Sequence, residues 1–128
     1  MRYPIFSFDG DDLFVFDSLD DIWKNLEVYD IAYPEILLDS DGRLLTKSDA
    51  GNDRVSLSDS GAEPDPERLR SMLIHALRKR GQEWSDDAAL ETLIPVAQAT
   101  WHKATRDVTI SQTFSRLLRF LRLRRPTS

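Results

Sequence analysis

Residues 3–16 read YPIFSFDGDDLFVF, and this stretch decides the fold prediction for the N-terminal half. Aromatic and β-branched residues are concentrated at 3–8 and 13–16, as is typical of strands. The intervening Asp9-Gly10-Asp11-Asp12 supplies the aspartate and glycine that tight turns favour. The stretch therefore predicts a β-hairpin whose turn carries three carboxylates.

Outward from this hairpin, the pattern changes to that of a helix. Ser18 is followed three residues later by Asp21, which is the arrangement of a capped helix start. Apolar residues then recur at helical spacing, so we predict an amphipathic helix over 19–27.

Two further turn signals follow the helix. Asp39-Ser40-Asp41-Gly42 separates apolar segments at 35–38 and 43–46, which predicts a second hairpin. Gly51-Asn52-Asp53 precedes a weaker strand at 54–57. For residues 1–57 we therefore expect an antiparallel sheet of four to five strands with one helix.

The C-terminal half has helical periodicity throughout. Residues 58–65 show no apolar pattern and predict a flexible connection. Over 66–125 we predict three helices, starting at Pro66 behind the cap Asp65, at Ser85, and at Thr109 or Ser111. Pro95 predicts a kink or a break in the second of them.

The fold class expected is thus α+β, with the three C-terminal helices packed on the sheet in one domain, 1–128. Its predicted common core comprises Phe6, Phe8, Phe14, Phe16, Leu19, Ile22, Trp23, Leu26, Leu69, Leu73, Leu77, Leu90, Leu93, Phe114, Leu117 and Leu121.

Composition argues against several kinds of chemistry. The chain of 128 residues has no cysteine, which excludes disulfides, thiolate zinc sites and a cysteine nucleophile. It has no glycine-rich phosphate loop and no Gly-x-Ser-x-Gly elbow. His75 and His102 lie in no pattern that assigns them a role, and we interpret both as structural or surface residues. We predict no catalytic residue, no metal and no cofactor, and expect a soluble cytoplasmic protein because no signal peptide or membrane span is evident.

Charge divides the chain into two parts. Residues 1–67 carry 17 acidic and 5 basic side chains, and residues 68–128 carry 5 acidic and 12 basic ones, so that −12 and +7 give the net charge of −5. Such halves either attract each other within one fold or face different partners. The internal alternative would pair the acidic residues with Arg68, Arg78, Arg116 and Arg119.

Three segments carry a family resemblance: LFVFDSLDD at 13–21, LEVYDI at 26–31 and LDSDGRLL at 38–45. In these first 50 or so residues the chain resembles small acidic bacterial immunity proteins, which accompany polymorphic or contact-dependent toxins. The resemblance implies a protein without catalysis that binds a cognate toxin domain in the cytoplasm of the producing cell and blocks it.

From the turns and the resemblance together we predict an acidic surface that occludes a toxin domain, of nuclease type. Its predicted partner-binding residues are Asp9, Asp11, Asp12, Glu35, Asp39, Asp41, Asp49 and Asp53. One alternative is a metal-dependent hydrolase that uses the same aspartate clusters. Another is a nucleic-acid- or membrane-associated factor that uses the arginine-rich helix at 115–125, although we favour packing of that helix on the core.

Overall fold

The computed structural model describes residues 1–26 and 31–106 of the chain. In these ranges lie, in order, β1 (Ile5–Asp9), β2 (Asp12–Phe16), α1 (Leu19–Asn25), β3 (Ile36–Leu38), β4 (Leu45–Gly51), β5 (Arg54–Asp59), α2 (Pro66–Lys79) and α3 (Leu90–Arg106). The predicted α+β class is confirmed. The predicted helix starting at Thr109 or Ser111 falls outside the described residues.

The strands form two small antiparallel sheets, which corrects the single sheet predicted from the sequence. One has the order β2-β1-β3, and the other consists of β4 and β5. The first hairpin is as predicted, with Phe6 opposite Val15 and Phe8 opposite Leu13. In the predicted second hairpin, only an isolated bridge between Leu38 and Leu44 joins the two segments.

The turn after β3 is held largely by one side chain. The Asp39 carboxylate accepts the main-chain N–H groups of Asp41 and Arg43 at 3.0 and 2.9 Å. These bonds from main-chain N–H groups to a side chain turn the chain tightly between Leu38 and Leu44. β3 then pairs with β1, and β4 pairs with β5.

The three-stranded sheet is covered on both faces, so the predicted common core is divided into two clusters. Because side chains alternate along a strand, neighbours such as Ile5 and Phe6 point to opposite faces. One face packs on α2 and α3 through Phe6, Phe8, Leu13, Val15, Leu38, Leu69, Leu73, Leu77 and Leu93. The other packs on α1 and the β4–β5 hairpin through Ile5, Phe14, Phe16, Ile22, Leu26, Leu37, Leu45, Val55 and Leu57.

Three predicted core residues are less buried than expected. Leu19 is 43% exposed, because it opens the first turn of α1. Trp23 and Leu90 are half-buried at the edges of the clusters. Phe114, Leu117 and Leu121 lie outside the described residues.

The helix starts follow the predicted caps at α1 and α2 but not at α3. The Ser18 hydroxyl accepts the N–H of Asp21 at 3.2 Å, and the Asp65 carboxylate accepts that of Arg68 at 3.0 Å. Ser85 instead begins a turn, and α3 starts five residues later at Leu90. Pro95 lies inside one helix, α3, so the predicted division into two short helices is wrong, and the alternative of a kink stays a prediction.

The connection between the halves returns to the turn after β3. Two residues of the segment predicted to be flexible, Ser58 and Asp59, belong to β5. At its other end, the N–H of Asp65 donates to the carbonyl of Gly42 at 2.9 Å. A Cβ on Gly42 would lie 2.4 Å from the Asp65 carbonyl, so this close approach requires glycine. Among the described residues, no helix is long and apolar enough to cross a membrane.

Candidate partner-binding surface

The two predicted acidic turns lie at opposite ends of the three-stranded sheet. β3 runs antiparallel to β1 and pairs Phe6 with Leu38 and Phe8 with Ile36. The residues after Leu38 are therefore beside the start of β1, whereas the β1–β2 turn follows its end. Consistent with this, Asp39 and Asp41 both bond Arg2, near the start of the chain. The eight predicted residues thus cannot form one continuous surface.

Asp39 is a buried structural residue, which corrects its assignment to a binding face. Its side chain is fully buried, and its second carboxylate oxygen accepts the N–H of Arg2 at 3.0 Å. With the two turn N–H groups, the carboxylate satisfies three main-chain donors. This is a reason for an aspartate at a site closed to water. Asp41 is 38% exposed and pairs with Arg2 at 2.7 Å.

The Glu35 side chain is likewise buried, and it pairs with Lys47, which is not among the predicted site residues. The Lys47 ammonium lies 3.0 Å from Glu35 Oε1 and donates to the Tyr33 carbonyl at 3.0 Å. The two side chains are 0% and 6% exposed. The hydroxyl of Ser7, on β1, donates to Oε2 of the Glu35 carboxylate. Glu35 is therefore excluded from the predicted surface and instead joins the two sheets.

Lys47 had a signal in the sequence. It follows Leu45 by two residues on a strand, and alternation places both on the same, inward face. In the structure, Leu38 is opposite Leu44 in an antiparallel bridge. Three residues further from the turn on each side, Glu35 comes opposite Lys47.

The Lys47 contact sets the direction of the β4–β5 hairpin. Lys47 bonds the carbonyl of Tyr33, whose hydroxyl donates to Asp9 at 2.8 Å at the β1–β2 turn. Glu35 also directly precedes Ile36, which pairs with Phe8 near the end of β1, so Lys47 beside Glu35 places β4 at that end of the first sheet. From Lys47, β4 continues two residues, roughly 7 Å, to Asp49. Both hairpin turns thus lie toward the same end of the molecule. We call Asp11, Asp12, Asp49 and Asp53 at these turns the acidic end.

At the β1–β2 turn, Asp11 is the most accessible of the carboxylates. It is 62% exposed, although His75 Nε2 lies 2.8 Å from Oδ1 and Lys79 Nζ lies 4.0 Å from Oδ2. The hydrogen bond with His75, aided by the charge of Lys79, holds the pKa of the Asp11 carboxyl below its usual value. Asp11 therefore stays ionised at neutral pH. Asp9 and Asp12 are half-buried.

At the β4–β5 turn, Asp49 and Asp53 are exposed. Asn52 and Asp53 have φ of 56° and 61°, so that both residues of the tight turn are left-handed. Such turns strongly favour glycine at the second position. In the described part of the chain, no lysine, arginine or histidine forms an ion pair with either aspartate. This turn therefore presents negative charge to the solvent.

Within the described residues, two histidines of the C-terminal half contact aspartates of the N-terminal half. His75 contacts Asp11, and His102 contacts Asp17, which also accepts from Gln98 at 2.9 Å. Of the arginines expected to meet the acidic half, Arg78 pairs with Asp86 of its own half at 2.9 Å. Arg116 and Arg119 lie outside the described residues, as does the basic segment 115–125.

A metal site does not emerge from the aspartate clusters. Residues 1–26 and 31–106 contain no group of three histidine, aspartate or glutamate side chains placed to hold an ion. The clusters lie at opposite ends of the sheet, and both Asp39 oxygens are occupied by N–H donors. The arrangement of the described residues therefore does not support the alternative of a metal-dependent hydrolase.

Comparison with known proteins gave no match among family models, curated proteins or solved structures. The resemblance to immunity proteins thus stays a prediction.

Proposed function

We propose that this chain is an immunity-type protein that binds a basic toxin domain and occludes it with its acidic end. The observation that supports the proposal most directly is the β4–β5 turn. Asp53 is exposed there on a left-handed backbone that favours glycine, and neither Asp53 nor the exposed Asp49 forms an ion pair among the described residues. A local preference broken without compensation in the fold is typical of functional positions.

The charge pattern fits recognition of a cationic surface. The chain has a net charge of −5, and the two turns of the acidic end project from rigid strands. Loops held on a rigid scaffold are common sites of recognition. Carboxylates at such positions steer a basic groove, such as that of a nuclease, into contact, and they mainly raise the association rate.

The Lys47–Glu35 pair contributes to this surface by positioning it. Because it connects the two sheets, it holds the β4–β5 turn toward the same end as the β1–β2 turn. The partner then meets two acidic turns at once.

The test is binding of the chain to its partner, identified by co-purification from the native cell, with association and dissociation rates measured at 20 and 150 mM NaCl. The double variant Asp49→Asn/Asp53→Asn keeps side-chain carbonyls that can accept the turn N–H, and asparagine tolerates the left-handed backbone. We expect its association rate at low salt to fall roughly threefold or more with little change in dissociation.

The control is Asp41→Asn/Glu63→Gln, which removes the same two charges elsewhere. Asp41 lies at the opposite end of the sheet, and Glu63 is exposed in the connection. Equal effects of the two double variants would show a general charge effect and refute the acidic end as the docking surface. A toxin domain that stays active in the presence of excess wild-type chain would refute the immunity function itself.

A further inference from the structure

A groove lies beside the acidic end, between the β1–β2 turn and α2. Its volume is about 160 Å³, and its lining residues are Phe8, Gly10, Ser71, Met72, His75 and Ala76. An apolar cavity of roughly 150 Å³ accommodates a molecule the size of benzene. The groove is therefore large enough for one side chain of a partner.

The floor and the rim of the groove differ in chemistry. Phe8 from the sheet, with Met72 and Ala76 from α2, gives an apolar floor. At the rim, His75 holds Oδ1 of Asp11 at 2.8 Å. Among the described residues, the second oxygen, Oδ2, has an ion pair only with the ammonium of Lys79, at 4.0 Å, and the Asp11 side chain is 62% exposed. That oxygen is accessible to an incoming donor.

We propose that this groove receives one arginine side chain of the basic partner. The methylene stem lies on Phe8 and Met72, and the guanidinium donates to Oδ2 of Asp11. Arginine fits better than lysine because its planar guanidinium is weakly hydrated and covers apolar surface while it donates. The weak Lys79 contact is exchanged for a direct charge-assisted hydrogen bond. This inference rests on the proposed function, since it assigns a contact residue to the same partner.

The experiment uses small probes and the full chain. Acetyl-arginine methylamide is titrated into the labelled protein, with NMR shifts followed at Gly10, Ser71 and the Met72 methyl group. We expect saturable shifts confined to the groove, with a dissociation constant of roughly 1–20 mM. The citrulline analogue, which has the same shape without the charge, should bind about tenfold more weakly.

Two variants test the two parts of the contact. Asp11→Asn should weaken arginine binding about tenfold without affecting citrulline, and Ser71→Leu, which fills the groove from an exposed helix position, should abolish both. Glu63→Gln, with its exposed carboxylate remote from the groove lining, should bind as the wild type does.

Equal binding of arginine and citrulline, tighter binding of acetyl-leucine methylamide, or shifts spread over all exposed carboxylates would each overturn the proposal. None of these results would refute the proposed function, because that is tested separately with Asp49 and Asp53 against the toxin domain.

Discussion

The sharpest prediction concerns the buried Lys47–Glu35 pair. Lys47→Met keeps the length of the side chain but removes the ammonium that faces a carboxylate with no exposure to solvent. Breaking one side of a buried pair leaves an uncompensated buried charge, which costs about 3–5 kcal/mol. A domain of this size has a free energy of unfolding of about 5–15 kcal/mol, so the loss is a large fraction of the total.

Lys24→Met is the matched control. Lys24 pairs with Asp20 at 2.9 Å, almost the same distance as the 3.0 Å of the Lys47 pair, but those side chains are 53% and 69% exposed. An exposed pair contributes about 0–1 kcal/mol, and methionine is as good a helix former as lysine. The same chemical change should therefore have several times less effect on the surface.

The assay is urea unfolding at pH 7 with the midpoint and slope fitted for each variant. A second change, Glu35→Leu on top of Lys47→Met, removes the buried carboxylate as well and should recover at least about 2 kcal/mol. If Lys47→Met destabilises no more than Lys24→Met, or if the double variant is less stable than Lys47→Met, the pair does not join the sheets in the way described.

Three further outcomes follow from the packing and the charges. Gly42→Ala should lower the free energy of unfolding in urea by about 1–3 kcal/mol more than Gly61→Ala does. Both glycines have positive φ, but only at Gly42 would the added carbon meet backbone atoms, at 2.4 Å. Equal losses would contradict the close approach. Leu93→Ala, at a fully buried site, should lower the free energy of unfolding by about 2–5 kcal/mol, against less than about 1 kcal/mol for Leu19→Ala at 43% exposure. Thermal melts that rank the two variants the other way would contradict the packing of α3 on the sheet. An imidazole hydrogen bond and a nearby ammonium lower the pKa of Asp11 in the folded protein. The stabilising contribution of Asp11 is therefore complete above about pH 4, its ordinary pKa, and is lost as the pH falls through the lower folded value. Asp11→Asn should flatten the acid limb of a curve of stability against pH, and an unchanged limb would contradict this.

Local chemistry made much of the fold predictable. The β1–β2 hairpin, the cap at Ser18 and the start of α2 behind Asp65 depend on residues within a few positions of one another. Their geometry is set by turn preferences and by the first unsatisfied N–H groups of a helix. The start of α3 was missed because Ser85 and the aspartates after it satisfy a turn as well as they would a helix start.

The candidate site was only partly predictable. That Asp49 and Asp53 lie exposed at a turn follows from Gly51-Asn52-Asp53 and the strand after it. Which carboxylates stay at the surface does not follow from local sequence, because an aspartate in a turn can equally be buried if donors surround it. Asp39 is buried among three main-chain N–H groups, one of them from residue 2, far away in the chain.

By itself, the sequence determined the class of the fold, the turns of the β1–β2 and β4–β5 hairpins, the helix caps at Ser18 and Asp65 and the excess of acid in the N-terminal half. Only the tertiary structure decided that the strands divide into two sheets, that Glu35 is neutralised by Lys47 and that His75 and His102 meet aspartates of the other half. The reason is physical. Turns and caps are satisfied by neighbours in the chain, whereas the burial of a charge depends on a partner that only long-range packing brings within about 3 Å.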